Sequence, residues 1–324
     1  MNICFIDNTN FQYNSKDLYS EKLRGAETVL INLSNSLVKL GHKITIINNC
    51  PKSENINGIK WLNINSSFEI NDYDLAFANA DCRLFDLVKS KKKILFSHSL
   101  QSLEKFIRKK QLFAYLKHKP KVCFLSEYHL KKRSKLLYLF GNISLRYAVD
   151  DIFLNTNLND NVDKNLAIFT SRQDRNLDLL LKIWTNYIYP QNNRLKLLVT
   201  DNNLNYKNAN IFKRKLSSQH NLIDDLLKAR IFLIPGHKAE LFCLAAEEAK
   251  ELCVPIITLG KGCLSERVED GKTGFIARDE KEFAKYTLEL FANDSLWKEM
   301  RNNLINIRGK KNWLKVAENL IKQI

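Results

Sequence analysis

What this chain lacks narrows it first. No stretch approaches the ~20 uninterrupted apolar residues that a membrane-spanning helix needs, and the opening MNICFIDNTN lacks the basic start of a signal peptide. A cytoplasmic protein is expected. There is no G-x-G-x-x-G after the first apolar run and no G-x-x-x-x-G-K-[ST], which argues against dehydrogenases and P-loop enzymes. No pair of Cys or His has zinc spacing. Short-period repeats and low-complexity tails are also absent. The seven cysteines, at positions 4, 50, 82, 123, 243, 253 and 263, are odd in number, widely spaced and mostly set in apolar runs such as KVCFLSE. Buried thiols are therefore expected, not disulfides.

Acidic residues are scarce in one place. Residues 91–146 carry fifteen Lys and Arg against only Glu104 and Glu127, within a chain of formal charge +16. Such a surface suits an anionic partner, whether nucleic acid, an acidic membrane face or a phosphate-bearing acceptor. Aromatic residues in this stretch, Phe106, Phe113, Tyr115 and Phe124, fall at apolar positions of helices and strands, so nucleic acid is the unlikely member of the three. In QSLEKFIRKKQLFAYLKHKPK, a helix would turn Phe106, Leu112 and Leu116 to the core or an interface, and Lys105, Arg108, Lys109 and Lys117 to an anionic surface. A solvated basic face is the plainer alternative.

What is present is a repeated alternation. NICFID, KITIIN, IKWLNI, YDLAFAN, KKILFSH and KVCFLSE are short apolar runs separated by loops or helical segments, including one with Val29, Leu30, Leu33, Leu37 and Leu40 at helical spacing. LAIFT, LKLLVT, RIFLIPG and VPIITLG repeat the grammar in the second half. This pattern predicts parallel doubly wound sheets. The polar, Asn- and Asp-rich stretch over 148–165 is the best boundary, giving domains 1–155 and 156–324, with the terminal helix KNWLKVAENLIKQI closing the second. Two such domains of 324 residues in all imply an α/β protein with two Rossmann-like domains facing across a cleft, ligands lying beyond the carboxyl ends of the strands.

The segment RIFLIPGHKAELFCLAAEEAKEL is the most informative. A buried strand ends near Pro235, a loop carries His237 and Glu240, and a helix starts near Cys243 with Glu248 inside it. Free amides over Leu241 to Leu244 would suit a diphosphate, Glu240 sugar hydroxyls and Glu248 a ribose. An amphipathic helix with solvated glutamates is the other reading of the spacing.

Here the chain resembles the family-4 retaining glycosyltransferases of the GT-B fold, marked by Glu, seven residues, Glu within a Glu-x-Phe-Gly-Leu segment. Glu240, Phe242, Leu244 and Glu248 fall on that pattern, with Cys243 in place of Gly. VPIITLGKGCLSERVEDGKTGFIA resembles the family's glycine loop, a Glu at 266 and an Asp-Gly-x-Thr-Gly turn at 270–274. FTSRQDRNLDLLLKIW resembles its diphosphate-clamping segment, with Arg172 and Arg175 as the basic pair and Asn176 where a Gly is usual. RGAETVLINLSNSLVKLGHKITII resembles the acceptor-domain opening, in which Gly25 approaches the phosphates, and His98 in ILFSHS matches a His beside the reacting sugar. A structural His at a strand end is the alternative for His98.

The resemblance implies a transferase that takes a sugar from a nucleotide-sugar donor held by Glu248, Arg172, Arg175, Gly25, Phe242, Cys243 and Leu244, with Glu240 and His98 at the chemistry. It implies retention at the anomeric carbon, a glycan or lipid-linked acceptor, and cell-surface polysaccharide, lipopolysaccharide or capsule, as the product. UDP is the default base. No cofactor and no metal are expected. Asp72-Tyr73-Asp74 spells the metal signature of another transferase fold, but it leads into the apolar run LAFAN and reads as the start of a core strand. Two rivals stay open: a catalytically silent scaffold of the same fold, suggested by Cys243, and a basic nucleic-acid-binding protein. Peripheral attachment to the inner face of a membrane through 91–146 is expected alongside the cytoplasmic location.

Overall fold

Every apolar run read above as a strand is one in the computed structural model, which describes residues 1–20, 23–69, 71–100, 102–158, 161–200, 209–214 and 218–324. The chain forms two compact units, Met1–Tyr147 with Trp313–Ile324, and Ala148–Asn312.

The first unit contains β1 (Asn2–Ile6), α1 (Gly25–Lys39), β2 (Lys43–Asn48), β3 (Glu54–Ile56), β4 (Ile59–Asn63), β5 (Asp72–Asn79), β6 (Lys89–Phe96), α2 (Leu103–Arg108), α3 (Leu112–His118), β7 (Lys121–Phe124), α4 (Glu127–Lys132) and β8 (Asn142–Ser144). Its sheet runs β3-β4-β2-β1-β5-β6-β7-β8. Neighbours are parallel except at the antiparallel β3–β4 edge. Strands covered on both faces need side chains that are apolar throughout, and β1 supplies them: Ile3, Cys4, Phe5 and Ile6 are at most 1% exposed. Phe5 stacks on Phe77 of β5 with ring centroids 4.6 Å apart, each buried ring contributing roughly 1.5–3 kcal/mol. On α1 the stripe Val29, Leu30, Leu33 and Leu37 is buried, and Gly41 just beyond takes φ +81°, the left-handed turn that ends a helix.

The second unit contains α5 (Asp151–Asn155), β9 (Asp163–Phe169), α6 (Leu177–Ile183), β10 (Lys196–Thr200), β11 (Ile211–Arg214), α7 (Gln219–Lys228), β12 (Ala229–Gly236), α8 (Leu244–Glu251), β13 (Ile256–Lys261), β14 (Gly274–Ile276), α9 (Glu280–Ala292) and α10 (Asp294–Ile307). Its sheet, β11-β10-β9-β12-β13-β14, is parallel throughout. The last helix, α11 (Trp313–Lys322), belongs to the first unit.

The structure departs from the sequence reading in three places. The boundary falls at 147/148 and not at 155/156, because α5 packs on α8 of the second unit; of the linker, residues 159 and 160 lie outside the described residues. The closing helix α11 packs on α1 and so belongs to the first unit, where the sequence reading had it close the second. The basic segment is two short helices broken at Lys110, whose φ is +54°, so Phe106 and Tyr115 take the core places while Leu116 is 43% and Phe113 78% exposed. All seven cysteines are free and buried, as their apolar setting predicted.

Candidate active site

In an open parallel sheet, ligands collect where neighbouring strands send their connections in opposite directions. In the second unit that point lies between β9 and β12. β9 leads into Arg172, Asp174 and Arg175, and β12 leads into His237 and Glu240. Arg175 Nε lies 2.9 Å from Glu240 Oε1, and Arg175 Nη1 donates to Asp174 Oδ2 at 2.9 Å. Arg172 also grips Asp174, through Nε at 2.9 Å and through Nη2. The side chain of Arg172 is otherwise open to solvent. Asp174 is held below the usual carboxylate range by the Arg172 hydrogen bond and by both arginine charges. Glu240, 8% exposed, is raised by burial against the pull of Arg175 and Arg172.

The loops are fixed by backbone geometry. The Asn176 side chain donates to the Gly236 carbonyl, tying the start of α6 to the end of β12. Asn176 (φ 66°, ψ 37°) and Cys243 (φ 61°, ψ 76°) are both left-handed at the N-cap of their helices. These are the two positions where the family pattern has glycine, so the turns survive the substitutions; Asn adopts this region readily, and Cys does so at a cost. Gly262, with φ +73°, cannot be replaced this way, since a Cβ there would lie 2.5 Å from the His237 carbonyl oxygen and 2.7 Å from that of Glu240.

Helix α8 starts at Leu244, one residue later than the sequence suggested. Leu241 and Phe242 therefore lie in the loop, and the amides at the helix mouth are those of Leu244 and Ala245. Phe242, expected to touch the donor, is buried with Arg267 4.3 Å and Lys311 4.8 Å from its ring centroid. Arg267 also bonds Glu247 at 2.7 Å, a pair that sequence reading missed because nothing in the spacing links 247 to 267. Glu248, the next residue of α8, is half-buried and makes no ion pair among the described residues. Burial pushes it up to about 7, with Arg214 opposing and Asp150 adding to the rise.

In the first unit the corresponding point lies between β1 and β5. Asp7 follows β1 and is 2% exposed. It accepts from Tyr13 Oη at 2.5 Å, from Thr9 Oγ1 at 2.9 and 3.0 Å, and from Asn79 Nδ2 at 2.9 Å. Asn79 Oδ1 and Glu27 Oε2 are buried without a hydrogen-bond partner. A cavity of about 400 Å³ opens here, lined by Asp7, Asn8, Thr9, Asn79 and Gln111 among others. The sequence reading did not single out these residues; Asp7 closing the run NICFID was the available signal.

His98 lies two residues past β6. Its Nδ1 is 3.1 Å from Tyr147 Oη, its Nε2 is buried without a partner, and burial pulls its pKa down to about 4. A neutral ring at pH 7 can hold a hydrogen bond but has no proton to spare as an imidazolium. Gly25 is the exposed first residue of α1. Asp72 and Asp74 open β5 as the apolar run predicted, Asp74 pairing with Lys91 at 2.9 Å. Among the described residues no group of three or more His, Cys, Asp or Glu is placed to hold a metal ion, and no helix is long and apolar enough to cross a membrane.

Two parallel-sheet Rossmann-like units, each with polar groups at its switch point, define a GT-B glycosyltransferase. The chain belongs to the glycosyl transferases group 1 family, whose model matches residues 150–311. Solved structures of similar fold include Anabaena Alr3699/HepE in complex with UDP and glucose (TM-score 0.71, 13% identity, 100% of this chain and 99% of that one). Sucrose-phosphate synthase of Thermosynechococcus elongatus is another (0.67, 13%, 99% and 97%). A third is WaaG, a glycosyltransferase involved in lipopolysaccharide biosynthesis (0.67, 11%, 99% and 99%). No curated protein matches the sequence.

Proposed function

We propose that this enzyme is a retaining, metal-independent glycosyltransferase that takes its sugar from a nucleotide-sugar donor, UDP being the first base to test, and builds a cell-surface glycan or lipid-linked saccharide. The observation that carries the reading is Glu248: a half-buried carboxylate on α8, the helix that follows β12, pushed up to about 7 by burial, with no hydrogen bond or ion pair of its own among the described residues. A ribose diol supplies the two donors such a group lacks. Arg172 and Arg175 then sit where charge builds on the departing diphosphate, the amides of Leu244 and Ala245 add helix-terminal donors, and Glu240 orients the donor sugar. The C1–O bond to the diphosphate breaks, an acceptor hydroxyl bonds to C1 on the same face, and its proton passes to the leaving phosphate. On the acceptor unit, the polar cavity at Asp7 and Asn79 suits sugar hydroxyls, and His98 offers Nε2 as a neutral hydrogen-bonding group.

The amino-terminal unit supports a second part of the reading. Exposed Leu103, Ile107, Phe113 and Leu116 share α2 and α3 with Lys105, Arg108 and Lys117, and Lys109 caps α2, a mixture that suits an anionic lipid surface at on the order of 1 kcal/mol per cation. Such docking would hold the enzyme beside a lipid-linked acceptor. Co-sedimentation with anionic vesicles at low salt, release at high salt and none with neutral vesicles is expected; equal negligible binding would remove this part. For the activity itself, the protein is incubated with a panel of labelled nucleotide sugars, with and without EDTA. Release of nucleoside diphosphate that survives EDTA is expected. No release from any donor with a competent acceptor extract would leave the silent scaffold, and loss in EDTA restored by manganese would overturn metal independence.

A further inference from the structure

The first unit holds a second cavity, of about 350 Å³, at the end of its sheet away from Asp7 and Asn79. It owes its existence to strand lengths. β6 pairs with β5 along its whole length, from Asp72↔Lys89 to Asn79↔Phe96, but with β7 only at Ile94↔Lys121 and Leu95↔Val122. The first residues of β6 therefore run past the start of β7 and leave a notch, which Lys93, His118, Lys119 and Lys121 line together with the apolar Phe140.

The charges in this notch do not balance. Lys91 is paired with Asp74 at 2.9 Å, and Lys92 donates at 2.6 Å to an oxygen of the terminal carboxylate of Ile324, which also lines the notch, so both of these cations are matched. His118 Nε2 lies 3.0 Å from Asp86, and its Nδ1 lies 3.2 Å from Lys93 Nζ, so a neutral ring passes the lysine no countercharge. Lys119 and Lys121 make no ion pair among the described residues. Ser90, also in the lining, has its Oγ buried with no hydrogen-bond partner. Three cations and an orphaned hydroxyl around one small cavity match the oxygens of a tetrahedral anion, and Phe140 gives an organic body a surface to rest on.

We propose that this notch binds a phosphoryl group, on a free phosphate compound or on a lipid headgroup, at a site separate from the diphosphate clamp of the second unit. The local probe is the His118 ring, observed by proton–nitrogen NMR while the full-length protein is titrated at constant ionic strength. One arm uses inorganic pyrophosphate and the other dihexanoyl phosphatidylglycerol below its micelle concentration. A saturable shift of the His118 signals in at least one arm is expected, the responding arm naming the source. Lys93→Gln, Lys119→Gln and Lys121→Gln combined should weaken that response about tenfold or more, while Arg175→Gln leaves it unchanged. Lys121→Gln alone should weaken it about threefold, which keeps the test open if the triple variant does not fold. Signals that move no more than in matched sodium chloride, or a response that ignores the lysine substitutions, would overturn the site.

Discussion

Glu247 and Glu248 are neighbours on one helix, yet burial acts on them in opposite ways. For Glu247, burial alone would raise the pKa, but Lys250, Arg267 and Lys311 together hold it below the ordinary carboxylate range. For Glu248, burial wins and carries the group up to about 7. The difference separates architecture from function. A buried charge that finds its partner within the fold ties α8 to Arg267, beyond β13; one left without a partner is, on the proposed reading, kept for a ligand that arrives later.

Breaking the paired face should have the largest effect. Arg267→Ala strips Glu247 of its closest partner and Phe242 of the cation over its ring, and should cost about 3–5 kcal/mol of unfolding free energy, read by denaturant titration. A loss below about 1 kcal/mol would erase the contrast between the two glutamates. The intermediate case is Glu240, buried but balanced by Arg175. Arg175→Gln should lower turnover by a factor corresponding to about 2–3 kcal/mol, with Glu240→Gln also lowering turnover more than donor affinity. Unchanged rates in both would remove this pair from the chemistry.

The unpaired face makes a prediction of opposite sign. Glu248 binds its proton more tightly when folded, at about 7 against an ordinary 4.5, so stability falls as pH rises between those values and is level above them. Glu248→Gln should remove that slope and gain on the order of 2 kcal/mol at pH 8, with little change at pH 4.5, by chemical denaturation at each pH. The smallest effect belongs to the helix cap. Cys243→Gly relieves a left-handed residue and should stabilise the protein by about 1 kcal/mol with donor affinity retained. Loss of donor binding in that variant would show that the thiol itself is needed.

How much of this could be read beforehand followed from the range of the interactions. Continuous apolar runs such as NICFID and RIFLIPG declared their strands because a strand buried on both faces has no polar positions to confuse the pattern. Residues 54–56, 142–144, 211–214 and 274–276 became strands through pairing with neighbours, which no local signal announces. The approach of Arg172, Arg175 and Glu240 was suggested by motif order, since both segments follow strands at one switch point. The Glu247–Arg267 pair, the return of α11 to α1 and the Asp7–Asn79 network join residues 20 to about 290 positions apart, and spacing within a segment says nothing about them. The break at Lys110 was hidden because a lysine can adopt a left-handed backbone without any sequence mark.

The central claim, that Glu248 is held in reserve for the nucleotide, is tested most directly by calorimetric titration of UDP, GDP and ADP into the wild-type protein and Glu248→Gln at pH 6 and pH 8. For at least one nucleotide the wild type should bind more tightly at pH 8, where the carboxylate is ionised and its hydrogen bonds to the ribose are charge-assisted, and the variant should lose about tenfold or more at pH 8 and show no pH dependence from this group. Equal affinities for wild type and variant at both pH values, for every nucleotide that binds, would contradict it.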